Sequence, residues 1–125
     1  MIKFDVEIVK NIHKIVVEYS GGGEGVREHG LLDSAINSIY QTFLGQELYP
    51  TVIEKGARLC YNLISNHAFI DGNKRIGLLT MLTFLELNGV RLDYTDDDLI
   101  FLGLSLAQSS LDYENLVKWI HDHKI

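Results

Sequence analysis

The stretch Ile76-Gly77-Leu78-Leu79-Thr80-Met81-Leu82-Thr83-Phe84-Leu85-Glu86-Leu87-Asn88-Gly89 carries apolar residues on nearly every side of a helical projection. A surface helix confines them to one stripe, so a helix that is apolar all round is one enclosed by others. Gly89 supplies the stop, because glycine takes the left-handed conformation that a helix end favours. The run from Ile76 to Leu87 is too short and too interrupted by polar residues to span a bilayer. It is therefore predicted to be the fourth and central helix of an all-α bundle.

Toward the C-terminus, Val90-Arg91-Leu92-Asp93-Tyr94 alternates briefly and predicts at most one short extended segment. Thr95-Asp96-Asp97-Asp98 reads as an N-cap followed by acids suited to the positive end of a helix, with Leu99, Leu102, Leu106 and Ala107 inward. Three consecutive acids resemble a metal cluster only on paper, since neighbouring residues of a helix point in different directions. A last helix is expected from Asp112, carrying Leu116, Val117, Trp119 and Ile120. His121 and His123 then sit at its negative end, where no metal need be invoked.

Toward the N-terminus, Thr51-Val52-Ile53-Glu54 has capping-box spacing. It opens a third helix through Ala57, Cys60, Leu63 and Ile64 to Asn66, whose end delivers His67. Before it, Leu44-Gly45-Gln46-Glu47-Leu48-Tyr49-Pro50 breaks the pattern and suggests a short extended flap. A second helix is predicted from Leu31 to Phe43, with Leu31, Leu32, Ala35, Ile36, Ile39, Tyr40 and Phe43 on its buried face. The first runs from Val6 to Tyr19 with Asp5 as N-cap and Val6, Val9, Ile12, Ile15, Val16 and Tyr19 at helical spacing. Four glycines within Ser20–Gly25 end it. That loop follows a helix and lacks the Lys-Ser/Thr ending of a P-loop, so it reads as a connector.

The sum is one domain, residues 1–125, built as a compact bundle of about six helices with a short flap between helices 2 and 3. At 125 residues and 46% hydrophobic the chain can bury a core without disulfides or metal. Its net charge of −6 argues against direct nucleic-acid binding, which needs clustered Lys and Arg. Cys60 is the single cysteine, reads as a small core residue, and suits a reducing compartment. No signal-like apolar run opens the chain, so the expected location is cytoplasmic, with no membrane contact.

Immediately before the central helix stand His67, Phe69, Asp71, Gly72, Asn73, Lys74 and Arg75. With one helix ending near His67 and another beginning at Gly72 or Asn73, the amides of Gly72, Asn73 and Lys74 become first-turn donors facing a common spot. That is an anion hole. Gly72 permits close approach, and Asn73 either holds the loop or donates to phosphate. Lys74 adds a point cation and Arg75 a fork matched to phosphate oxygens. Asp71 is either a structural cap or a ligand for phosphate-bound Mg²⁺. A histidine titrates near neutrality, so His67 can take a proton from an incoming hydroxyl. Phe69 reads as an apolar peg. Nucleotidyl or phosphoryl transfer fits this set.

The stretch resembles the signature of the Fic/Doc superfamily, His-x-Phe-x-Asp/Glu-Gly/Ala-Asn-Gly/Lys-Arg, which His67, Phe69, Asp71, Gly72, Asn73, Lys74 and Arg75 match in order. Gly25-Val26-Arg27-Glu28-His29-Gly30-Leu31-Leu32-Asp33-Ser34-Ala35 is similar to the N-terminal part of the family's Doc (death-on-curing) branch. AMP-transferring members have Gly where this chain has Lys74, and a second Arg where it has Leu78. A side chain at position 74 crowds an α-phosphate, and the missing Arg removes a clamp for the β/γ end.

The resemblance implies a toxin of a toxin–antitoxin pair, a protein kinase that transfers the γ-phosphate of ATP to a Thr or Ser hydroxyl of elongation factor Tu and so arrests translation. It further implies a Phd-like antitoxin as partner. By the same resemblance His67 is the general base, Asp71 positions Mg²⁺ or the base, and Asn73, Lys74 and Arg75 hold phosphates. Leu44–Tyr49 corresponds to a flap that docks the target. Two other readings stand beside it: transfer of AMP or another nucleotide to a protein hydroxyl, and a catalytically silent partner-binding module. Ser20–Gly25 also fits the Ser/Thr-x-x-x-Glu-Gly/Asn pattern of a self-inhibitory helix in some Fic proteins, but its glycines predict no such helix.

Overall fold

The computed structural model describes residues 1–125 apart from Glu24 and Asp71, with only the backbone of Ser20. The described residues form six α-helices: α1 (Val6–Ser20), α2 (His29–Asn37), α3 (Val52–Asn66), α4 (Asn73–Leu87), α5 (Asp96–Ala107) and α6 (Tyr113–His123). A 3₁₀ turn (Ser38–Tyr40) follows α2, and a hairpin of β1 (Thr42–Phe43) and β2 (Gln46–Glu47) leads into α3. The all-α bundle and the flap between the second and third helices are as the sequence predicts.

The helix ends follow local chemistry. Asp5 accepts the Ile8 amide at 2.9 Å, Thr51 the Glu54 amide at 3.1 Å, and Asp112 the Asn115 amide at 2.9 Å. At α3 the capping box is altered: Glu54 Oε1 accepts from the Thr51 hydroxyl at 2.9 Å. At α5 it is complete, Asp98 accepting the Thr95 amide at 3.0 Å, and that bond is the first cause of a carboxyl held below its ordinary range. The end of α4 is a Schellman motif, with Val90 N–H on Leu85 O and Gly89 N–H on Glu86 O, and Gly89 at φ 85°. Leu92 bridges Lys124, so the short extended segment after α4 pairs with the C-terminus.

Helices α3 and α4 lie side by side between two cores. On one side Val9, Leu32, Ile36, Leu59, Leu63, Phe69, Ile76 and Phe84 join them to α1 and α2. On the other Ala57, Cys60, Met81, Leu85, Leu102, Leu116 and Ile120 join them to α5 and α6. The pair approaches closely because two glycines face the partner helix. A Cβ at Gly56 would stand 2.8 Å from Leu85 Cδ2, and one at Gly77 2.9 Å from Ile64 Cγ1 and 3.1 Å from the Cys60 carbonyl oxygen.

Three expectations are corrected. The second helix stops at Asn37 rather than Phe43, because Asn62 of α3 donates to Ala35 O at 3.1 Å and Ser38 Oγ at 2.8 Å and ties down its last turn. Phe43 then turns outward in β1, 67% exposed. On α1, Ile15 and Tyr19 keep the helical spacing yet are exposed, because they lie against an open groove with Leu79 and Leu99 rather than the core. Ala107 is exposed as the last residue of α5.

His123 lies at the negative end of α6, its Nδ1 2.7 Å from Trp119 O, and its Nε2 stands 3.6 Å from Asp98. No group of three or more His, Cys, Asp or Glu able to hold a metal occurs among the described residues. Nor is any described helix long and apolar enough to cross a membrane.

Gly77→Ala is expected to cost about 1–3 kcal/mol in urea unfolding through overpacking. Gly103→Ala, where an added Cβ meets nothing within 4 Å, is expected to gain about 0.5–1 kcal/mol from helix propensity. A Gly77→Ala protein as stable as the parent would show that the helix pair has room to part. Burial pushes the Cys60 thiol up to about 12, so iodoacetamide at pH 8 should leave it unmodified until the chain unfolds. Labelling of the native protein at the unfolded rate would contradict its placement.

Candidate functional site

The end of α3 and the start of α4 meet at the motif loop. His67 caps α3 in the left-handed conformation (φ 50°, ψ 45°), a region open to histidine more readily than to bulky residues, and its side chain is exposed. Gly72 caps α4 with φ 76°. The helical ladder begins with Ile76 N–H on Gly72 O at 2.9 Å, so the amides of Asn73 and Lys74 ahead of it have no helical acceptor. They stand at the positive end of a fifteen-residue helix.

The loop between these helices is held on three sides. Asn73 Oδ1 accepts from Phe69 N–H and its Nδ2 donates to Phe69 O, both at 3.1 Å, closing a two-bond ring across the turn. Of the two uses the sequence leaves open for this side chain, the structure has it holding the loop. Phe69 is buried in the core as the apolar peg expected of it. The segment before α2 pairs with the loop: Arg27 N–H donates to Ala68 O at 2.8 Å, Ile70 N–H to Gly25 O at 3.2 Å, and Val26 bridges Phe69.

A cleft of about 420 Å³ opens in front of this loop, bringing together His67, Gly72, Asn73, Lys74, Arg75 and Leu78, with Gly103, Leu106 and Ala107 of α5 as its far wall. No carboxylate appears among its described lining residues, although the whole chain is acidic. A concentration of N–H donors and cations at a helix start is suited to an anion, a phosphate above all. The Lys74 ammonium donates to Ala107 O at 2.7 Å, so it rests on the C-terminal carbonyls of α5 at the cleft's edge. Arg75 is exposed and borders both this cleft and the apolar groove beside it. Leu78 lies one turn beyond Lys74 and Arg75 on the same wall. Asp71, the expected Mg²⁺ ligand, lies outside the described residues, as does Glu24 of the Ser20–Gly25 pattern.

Two buried polar residues, one behind this loop and one at the other end of α3, escape a reading of the sequence. His13 of α1 is buried and stacks on Phe69, ring centres 3.9 Å apart and planes 11° from parallel. Its Nε2 would be 3.9 Å from a Cβ at Gly72, so it backs the loop from the side opposite the cleft. The signal available was a polar residue four places after Val9 in the apolar stripe of α1. Lys55 is the second, a lysine 2% exposed on α3 whose ammonium meets Glu47 of β2 at 3.0 Å and donates to Tyr49 O. Nothing in its sequence surroundings marks it.

A model of the Fic/DOC family matches residues 3–85. The chain is also 44% identical over 72 residues to Toxin Doc of Mycolicibacterium smegmatis (strain ATCC 700084 / mc(2)155), an overlap covering 58% of this chain and 55% of that protein. The chain thus spans about half the length of the relative it matches. Residues 3–85 take in α1, the loop-pairing segment, the flap, His67 and nearly all of α4, and on that match the chain belongs to the Fic/Doc family.

Proposed function

We propose that this protein is a Doc-type toxin, a protein kinase that moves the γ-phosphate of ATP to a Thr or Ser hydroxyl of a translation factor, elongation factor Tu by resemblance, and is restrained by a Phd-like antitoxin. The observation that carries the reading is the cleft in which His67 faces the first turn of α4 beside Lys74 and Arg75. A polyphosphate fits that donor set. Lys74 and Leu78, where AMP transferases of the family have Gly and Arg, favour phosphoryl over nucleotidyl transfer.

In this mechanism the amides of Asn73 and Lys74 and the Arg75 guanidinium bind the transferring phosphate, and the Lys74 ammonium swings from Ala107 O to join them. His67 takes the proton of the acceptor hydroxyl as its oxygen bonds to the γ-phosphorus. The bond from that phosphorus to the β–γ bridging oxygen breaks, and ADP leaves with the electron pair. Mg²⁺, held by Asp71 and phosphate oxygens, would neutralise charge on the phosphates. Mg²⁺ favours one or two carboxylates plus phosphate oxygens over an all-protein cage, which is why Asp71 is the residue assigned to it in this reading.

The hairpin is the docking element in this reading. Leu44, 89% exposed, and Phe43 offer an apolar tip, and so short a strand pair leaves backbone groups unpaired for an incoming segment. The antitoxin's place is the apolar groove of about 360 Å³ between α1, α4 and α5, where Ile15, Tyr19, Leu79 and Leu99 lie beside Arg75.

With purified elongation factor Tu, label from the γ position of ATP is expected on the acceptor and label from the α position is not. Transfer of the α label alone would reverse the assignment to nucleotidyl transfer. His67→Ala is expected to lower turnover by about 10²-fold or more, and Arg75→Ala to raise the KM for ATP as well. Unchanged growth inhibition by the His67→Ala protein would instead support a catalytically silent module.

A further inference from the structure

The hairpin cannot hold its own position. Each strand has two residues, all exposed, and a pair this short is not stable in water by itself. Its turn places Leu44 at φ 52° and Gly45 at φ 80°, and a leucine takes that conformation only where the surrounding chain requires it. Whatever orders the hairpin acts at its base.

Lys55 is there. Its side chain is 2% exposed, and both partners found for its ammonium among the described residues belong to the hairpin's return arm: Glu47 Oε1 at 3.0 Å and the Tyr49 carbonyl. A buried ammonium must keep its partners, because losing them leaves a charge without water or counter-ion. The Glu47 carboxylate is half exposed and could otherwise point into solvent. The demand for pairing therefore comes from α3 and acts on the hairpin. Next to it the Tyr49 ring packs against Tyr113 and under the Arg58 guanidinium, at 5.9 and 5.3 Å between centres, which fixes where the arm enters α3.

We propose that Lys55 is a positioning residue that latches the hairpin to α3 and so sets how an acceptor protein is presented to His67. The second half of this rests on the hairpin being the docking element; the latch itself does not. Lys55 touches neither nucleotide nor acceptor. Its effect is confined to the acceptor side of the reaction, and the nucleotide cleft is left as it is.

The test compares the parent with Lys55→Met, which keeps the length and apolar stem of the side chain and removes the charge. Hydrogen exchange at the Gln46–Leu48 amides is expected to quicken at least tenfold while the α3 and α4 amides keep their protection. In phosphoryl transfer the KM for elongation factor Tu should rise by about 10-fold or more, with the KM for ATP within about twofold. Should Lys55→Met fail to fold, Glu47→Gln, altered on the exposed side, makes the same comparison. Unchanged hairpin exchange in a folded variant overturns the latch. Faster exchange with an unchanged acceptor KM overturns the positioning role. If the parent transfers no phosphate, the kinase reading fails, while the exchange result still decides the latch.

Discussion

The structure depends on the close approach of α3 and α4. Gly56 and Gly77 each present bare backbone to the other helix, where a methyl group would collide with Leu85 on one side and with Ile64 and the Cys60 carbonyl on the other. That contact places the two helices between both cores, and it brings the C-terminal end of α3 next to the N-terminal end of α4. Opposite helix termini are opposite in charge character, so the junction sets a histidine beside first-turn amides that have no helical acceptor. The candidate site is a product of that packing before any side chain is considered.

The loop across the junction is then stiffened by means that leave the cleft open. Asn73 uses its whole amide on the backbone of Phe69, Phe69 is buried against His13, and the strand-like pairing with Gly25 to Arg27 covers the outer edge. Each of these contacts lies behind or beside the turn. The face toward the cleft is left to backbone N–H groups and to Lys74 and Arg75, long side chains that reach in from α4. A backbone fixed in this way is the kind of preorganised support that the proposed phosphate site would need.

Contrast the hairpin, which is tied to α3 through a buried charge beside the packing of Tyr49. Polar groups in the interior are costly unless paired, and Lys55 turns that cost into a constraint on an otherwise exposed element. The helical core and the hairpin are thus held by different physics: apolar packing for one, electrostatic obligation for the other.

Much of this was legible in the sequence. Periodicity and caps gave the helices because they are local: Asp5, Thr51, Thr95 and Asp112 act within three residues of themselves, and Gly89 closes α4 through its own backbone. The motif loop was legible for the same reason, since His67 through Arg75 are contiguous and an adjoining helix start implies amides without helical acceptors. Phe43, Ile15 and Tyr19 were misplaced because helical spacing tells which residues share a face and not whether another element covers it. The end of α2 depends on Asn62, 27 residues from Ala35. His13 and Lys55 took their roles from partners brought to them by the fold, and Lys74 rests on a carbonyl 33 residues away. The sequence by itself determined an all-α bundle and a helix-starting turn beside a histidine, both being consequences of short-range chemistry. Only the tertiary structure decided which side chains stand behind that turn and what latches the hairpin, because those are contacts between segments whose meeting no local pattern encodes.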